Sequence, residues 1–166
     1  MSGTRLQLEV QEQQQLLWCW AACSSTTSLF YDAVSSWSQC QVANAELKQS
    51  SCCDEGSSDA CNTVWCLDDA LARTGNLANW CRRTVSWDEV KNEIDRGRPV
   101  CARVAWSGRG AHFVMIVGYE NSSSDNLLAI EDPSPDAPRS SFVPFDVFAH
   151  NYRSTGTWTH TYMTQK

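Results

Sequence analysis

The chain has no apolar run long enough to span a bilayer. Met1 to Val10 lacks a basic start followed by an apolar stretch, so no secretory leader is visible there. Positive charge is scarce: 13 Lys and Arg stand against 19 Asp and Glu, a formal net charge of −6. That balance offers no basic footprint for nucleic acid or for an anionic membrane surface. With 8 Gly and 5 Pro the chain is neither collagen-like nor low-complexity. No repeat or linker divides its 166 residues, which suit one domain, 1–166, with residues 1–12 as a leading strand or extension. Only 3 histidines are present, His112, His150 and His160, so a general base has few places to be.

Tryptophan and cysteine are plentiful, at 8 and 9. The tryptophans suggest a core anchored by large aromatics. The cysteines are Cys19, Cys23, Cys40, Cys52, Cys53, Cys61, Cys66, Cys81 and Cys101. With one set aside as a nucleophile, an even number remains for disulfides, whose pairing cannot be deduced from spacing. The cluster Cys52, Cys53, Cys61, Cys66 lacks the Cys-x-x-Cys knuckles of zinc ribbons, which favours disulfides over a metal. Such density is unusual in a reducing cytosol and favours a secreted or delivered protein.

Leu6, Leu8 and Val10 alternate, as in a short strand. A helix is predicted over Cys19–Tyr31, with Ala21, Ala22, Leu29 and Phe30 on one buried face. A turn at Ser35–Ser38 leads to a second helix, Gln39–Leu47, and Gln49–Asn62 reads as a loop. Thr63–Arg73 forms a third, closed by Gly75, and a Ser86/Glu89 capping box opens a fourth that ends before Gly97 and Pro99. Strands then follow at Val100–Trp106, Ala111–Tyr119 and Leu127–Ile130, separated by Ser107–Gly110 and Asn121–Asp125. Phe142–Phe148 and Thr157–Met163 add two more, after a stiff, proline-rich connection over Asp132–Arg139. Helices first and antiparallel strands second describe an α+β domain.

The chemistry concentrates at Gln13 to Cys23, where a glutamine run meets Leu-Leu-Trp-Cys-Trp-Ala-Ala. Cys19 opens the first helix, where unpaired N–H groups and the helix dipole favour a negative group. Gln13, six residues earlier, carries an amide able to donate to an oxyanion; Gln14 fits with a small change in the turn. His112 heads an apolar strand after Gly108-Arg109-Gly110, a position from which an imidazole reaches a nucleophile across a cleft. Its orienting carboxylate is Glu131 or Asp132, which as neighbours on a strand point to opposite faces. Trp20 reads as a core anchor and Trp18 as a wall of the cleft; Arg109 borders the substrate groove, and His150 and His160 read as surface residues. Cys23, one turn after Cys19, is expected to pack inside or pair with another cysteine.

A glutamine six residues before a Cys-Trp that starts a helix resembles the papain-like cysteine peptidases. Trp18-Cys19-Trp20-Ala21-Ala22 is similar to a bacterial branch that holds plant-pathogen effector proteases and relatives of the double-glycine peptidases that process bacteriocin leaders. The strand Gly110 to Tyr119 with its His112, and Ala129-Ile130-Glu131-Asp132-Pro133, continue the likeness in the order Cys, His, Asp. Ala111 stands where many relatives have glycine. The resemblance implies a helical lobe packed on an antiparallel sheet lobe, with Cys19, His112, Asp132 and Gln13 in the cleft between them. It selects Asp132 over Glu131. It also implies cleavage of a protein or peptide substrate, at glycine-containing sites, with no metal or organic cofactor. Acting on other cells' proteins as an effector or toxin, the protein would in the toxin case need a cognate immunity or inhibitor protein. The same three residues also suit deamidation, transglutamination or peptidoglycan amide hydrolysis, and a disulfide-framed binding module is the non-enzymatic rival.

Overall fold

A computed structural model describes residues 2–122 and 125–166; of the turn expected at 121–125, residues 123 and 124 lie outside the described residues. The elements run β1 (Ser2–Arg5), α1 (Cys19–Tyr31), α2 (Gln39–Leu47), α3 (Leu67–Arg73), β2 (Leu77–Cys81), α4 (Trp87–Asp95), β3 (Val100–Trp106), β4 (Gly110–Asn121), β5 (Asn126–Glu131), β6 (Ser140–Pro144), α5 (Phe145–Asn151) and β7 (Thr157–Thr164). The strands form one antiparallel sheet in the order β2-β7-β3-β4-β5-β6, with β1 paired to the far end of β4. Helices α1 to α3 make one lobe and the sheet with α4 and α5 the other, so the α+β, two-lobed expectation holds.

The sheet is buried on both faces, and period-two alternation assigns each side chain to one of them. Cys101, Phe113, Met115, Val117, Ala129 and Tyr162 pack toward the helical lobe. Val100, Val104, Val114, Ile116, Leu128 and Ile130 pack under α4 and α5 with Phe148 and Trp158.

Helix α1 lies between the lobes and is buried all round from Cys19 to Ser28, while Leu29 is 38% exposed. The single apolar face expected for it is therefore wrong. Its hydroxyls bond back to their own helix, Ser24 to Trp20 O at 2.9 Å and Thr27 to Cys23 O at 2.8 Å, so small polar residues are cheap to bury here.

Four further differences have local causes. The third helix starts at Leu67, not Thr63, because Trp20 Nε1 donates to Thr63 O (3.0 Å) and Trp65 Nε1 to Glu46 (2.7 Å), holding 63–66 extended. The strand expected over Phe142–Phe148 stops at Pro144, which cannot donate to a ladder, and Phe145 to Asn151 coil into α5 with Phe148 and Ala149 inward. Strand β2 was not anticipated: it pairs only with β7 and its three central residues are exposed, so no alternation marks it. The alternation at Leu6 to Val10 does not make a strand; β1 lies earlier, at Ser2–Arg5, where Gly118 leaves no room for a Cβ beside Thr4 O (2.6 Å) and so lets β1 approach.

Two disulfides, Cys40–Cys53 and Cys52–Cys61, staple the 49–62 loop to α2 and to itself. Cys19, Cys23, Cys66, Cys81 and Cys101 remain thiols. No helix among the described residues is long and apolar enough to cross a membrane.

Beyond β1 the chain is strapped across the end of β5 by Glu131, which is 1% exposed. Its carboxylate takes Arg5 Nη2 at 2.7 Å and the backbone N–H of Val10 at 3.1 Å. Replacing Glu131→Ala leaves the Val10 N–H without its acceptor and Arg5 with Ser140 Oγ alone, and is expected to lower stability by about 2 kcal/mol, since Arg5 is itself partly solvated. Urea denaturation of wild type and variant measures this.

Candidate active site

Cys19 is the first residue of α1 and is 9% exposed. No side chain caps the helix and its first turn holds no acidic residue, so the leading N–H groups are left for whatever lies at the helix start. Trp18 N–H bonds Gln15 O at 3.1 Å and Ala22 N–H bonds Trp18 O at 2.9 Å, fixing where the helix begins.

His112 lies near the start of β4 and Asp132 just after β5. The pairing Met115↔Glu131 ends the β4–β5 ladder, and one more step of that register sets Asp132 beside Val114, one same-face position from His112. His112 Nε2 bonds Asp132 Oδ1 at 2.7 Å. That contact leaves the other ring nitrogen, Nδ1, unused, and Cys19 is among the groups that raise the ring's pKa. Glu131, on the opposite face, serves the N-terminal strap instead.

Asp132 is wholly buried. Burial pushes its carboxyl upward, but the bond and charge of His112, the Ser134 N–H at 2.9 Å and the Tyr152 hydroxyl at 2.9 Å outweigh it, and Asp132 titrates below the usual carboxylate range. For His112, burial works against the charged form. The hydrogen bond and negative charge of Asp132, with a further contribution from Cys19, overcome it and raise the ring to about 9. The pair is thus held as imidazolium and carboxylate through neutral pH. Tyr152 and the nearby Arg153, 3.9 Å from Asp132 Oδ2, were not found by sequence reasoning. A tyrosine twenty residues downstream carries no motif, and only the chain reversal after α5 brings it to the carboxylate.

Gln13 lies on the segment leading to Cys19, and its N–H bonds Pro133 O at 2.9 Å, joining that segment to the residue after Asp132. Its side-chain Nε2 donates to Gln15 O (3.1 Å) and Leu16 O (2.6 Å), and Oε1 is buried with no partner among the described residues. Gln14 is exposed, with its N–H on Gln39 Oε1 at 2.9 Å. Gln39, 1% exposed, also donates to Glu12 O at 2.8 Å and so fixes the whole glutamine run; its sequence position in α2 gave no hint of this.

Trp18 does not line the cleft. It is 1% exposed and donates to Cys61 O at 2.7 Å, anchoring the disulfide loop. The cleft, about 660 Å³, opens at Cys19 between Leu17, Val64 and Trp65 of the helical lobe and Trp80, His160 and Tyr162 of the sheet lobe. His160, read as a surface residue, stacks on Trp80 here at 6.2 Å. Burial and the charges of Arg103 and Arg82 lower its pKa. Arg109 stands at a smaller hollow beside His112. Cys23 packs inside as expected, and burial raises it far above an ordinary thiol, with further repulsion from Cys101, Cys19 and Asp132. Burial lifts Cys101 to about 12. Among the described residues no group of three or more His, Cys, Asp or Glu is placed to hold a metal.

A cysteine at a buried helix start, faced across a cleft by an imidazole–carboxylate pair on a sheet, is the layout of a papain-like cysteine peptidase. The chain belongs to the papain-like cysteine protease AvrRpt2 family, whose model matches residues 1–153. It is a cysteine peptidase of that family. No curated protein matches it significantly. Among solved structures it is similar to the peptidase domain of Streptococcus ComA, a bifunctional ABC transporter involved in quorum sensing, at TM-score 0.61 and 15% identity over 96% of this chain and 99% of that one. It is also similar to digestive procathepsin L 3 of the Tenebrio molitor larval midgut, at TM-score 0.57 and 10% identity over 99% and 70% of the two chains. A structure from work on the mite allergens Blo t 1 and Der p 1 gives TM-score 0.57 and 12% identity over 95% and 67%. At these identities the likeness speaks to the fold.

The imidazole provides a direct check. His112 titrates above the ordinary value of about 6.5, so its contribution to stability is complete below that pH and is lost as pH rises through about 9. NMR titration of the ring should give that elevated midpoint, and Asp132→Asn should shift it downward.

Proposed function

We propose that Cys19, His112 and Asp132 form the catalytic triad of an endopeptidase acting on a protein of another cell. The observation that carries the reading is the 2.7 Å His112–Asp132 contact, which leaves Nδ1 for the sulfur at the head of α1. The Cys19 thiolate attacks the peptide carbonyl and its sulfur becomes bonded to the acyl carbon. The Cys19 backbone N–H and the Gln13 amide hold the oxyanion, the amide by exchanging its longer bond to Gln15 O. The C–N bond breaks as His112 passes its Nδ1 proton to the leaving amine. The now neutral ring takes a proton from water, whose oxygen displaces the sulfur and restores the ion pair. Asp132, held by Tyr152, keeps the ring oriented throughout.

Action outside the producing cell, as a delivered effector or toxin, is supported by the family and by two disulfides, which need an oxidising step to form.

Alkylation of the native protein with iodoacetamide, mapped by mass spectrometry, tests the site. At neutral pH Cys19 should label first. Cys23 and Cys101 are buried and held protonated, and exposed Cys66 is raised by partial burial and by Asp68, Asp69 and Glu46. His112→Ala should slow Cys19 labelling and peptide cleavage on the order of 100-fold, Cys19→Ala should abolish cleavage, and wild-type cleavage should decline as pH rises through about 9. Labelling of Cys19 at the rate of Cys66, unaffected by His112→Ala, overturns the triad.

A further inference from the structure

The two sides of the Cys19–His112 pair differ in chemistry. Cys19 opens onto the large, mostly apolar cleft. His112 backs onto a separate hollow of about 290 Å³, completed by Trp106, Arg109 and Arg153. The reaction orders these two spaces. The acyl carbon must meet the sulfur, and the leaving amine must meet the imidazole that protonates it. The hollow that touches His112 and not Cys19 therefore receives the chain that departs with the amine.

Its lining is cationic: among the described residues five of the ten arginines lack a glutamate partner, Arg82, Arg96 and Arg103 elsewhere and Arg109 and Arg153 in this hollow. Arg5, Arg73, Arg83, Arg98 and Arg139 are each neutralised by a glutamate at 2.6–2.7 Å. Arg109 has no ion pair among the described residues. Arg153 has only Asp132, at 3.9 Å, whose oxygens are already taken by His112, Ser134 and Tyr152. Two guanidinium groups thus face one small space without a carboxylate of their own, in a chain of net charge −6.

The backbone holds them there at a cost. Arg153 and Ser154 have φ of 47° and 86°, in the left-handed region that such residues seldom adopt. The Tyr152–Gly156 bridge closes that turn, and a Cβ on Gly156 would meet Tyr152 O at 2.6 Å and Trp106 Cε2 at 2.8 Å. The turn that brings the Tyr152 hydroxyl to Asp132 therefore also packs on Trp106 and presents Arg153. On the opposite rim, Gly108 and Gly110, at φ of 69° and 85°, carry Arg109.

We infer that this hollow is the specificity site for the leaving side of the substrate and takes an aspartate or glutamate one or two residues after the scissile bond, with Trp106 covering its methylenes. The inference rests on the peptidase reading above. The acidic residue departs with the amine product once the C–N bond has broken and His112 has given up its proton, so the preference is written in the sequence after the cut and not before it.

Digestion of a proteome-derived peptide library, with mass spectrometry of the new N-termini and Cys19→Ala as control, tests it. Asp and Glu should be enriched several-fold at the first two positions after the cut, and the enrichment should shrink at high salt, as for a solvent-accessible ion pair. In Arg109→Gln and Arg153→Gln, the ratio of acidic-flanked to lysine-flanked cuts should fall on the order of fivefold per arginine replaced. That ratio is internal to each variant and does not move with a loss of folded enzyme; Arg109→Gln, on an exposed turn, is the variant least coupled to folding. Cuts without acidic enrichment, or enrichment unchanged in both variants, overturn the inference and leave the peptidase reading standing. No cuts beyond the Cys19→Ala control remove both.

Discussion

Asp132 is a carboxylate with no surface open to solvent, and such a charge is tolerated only where its oxygens are all occupied. Its partners come from three places: His112 on β4, the Ser134 N–H in the loop after β5, and the Tyr152 hydroxyl beyond α5. Satisfying it thus fixes the relative positions of those segments. The elevated His112 and the depressed Asp132 are two readings of the same contact. Glu131, next door on the opposite face, is as deeply buried and is satisfied by Arg5 and Val10 instead. Adjacent strand positions therefore separate two buried carboxylates into different duties, one at the His112 ring and one in the clasp that holds the N-terminal segment.

The helical lobe answers a different requirement. A cysteine must lie at a helix start that is firmly placed yet reachable from the cleft. Burying α1 from Cys19 to Ser28 secures the placement, and the composition makes it possible: Ala, Cys, Ser and Thr allow close packing, with hydroxyls returned to the helix's own carbonyls. The same burial separates the cysteines chemically. Four are in disulfides, while Cys23 and Cys101 are pushed upward by desolvation, so reactivity is left to positions near the surface.

The lobes meet along the glutamine run. Gln39 holds Glu12 and Gln14 from the helical side, and Gln13 bonds Pro133 from the sheet side. A stretch that reads as polar surface is a joint between the head of α1 and the segment that follows β5, and the joint consists mainly of backbone groups that no residue type announces.

Much of this was legible in the linear chain. The bounds of α1, α2 and β3 agree with those read from composition and turn residues, because caps, glycine stops and short-range periodicity are local signals. Gln13, Cys19, His112 and Asp132 stand out in the linear chain through their likeness to a family motif, and of these His112 and Asp132 are in contact. What local pattern did not contain was anything dependent on a distant partner. Strand β2 exists through its pairing with β7, α3 begins late because Trp20 and Trp65 tie down the preceding segment, and Trp18 faces the disulfide loop rather than the cleft. Tyr152, Arg153 and Gln39 reach the site only through folding. The sequence by itself determined which groups are available and the order in which they occur. Tertiary structure alone decided which of them lose water and which meet, because desolvation and contact between segments more than a hundred residues apart are properties of the packed chain.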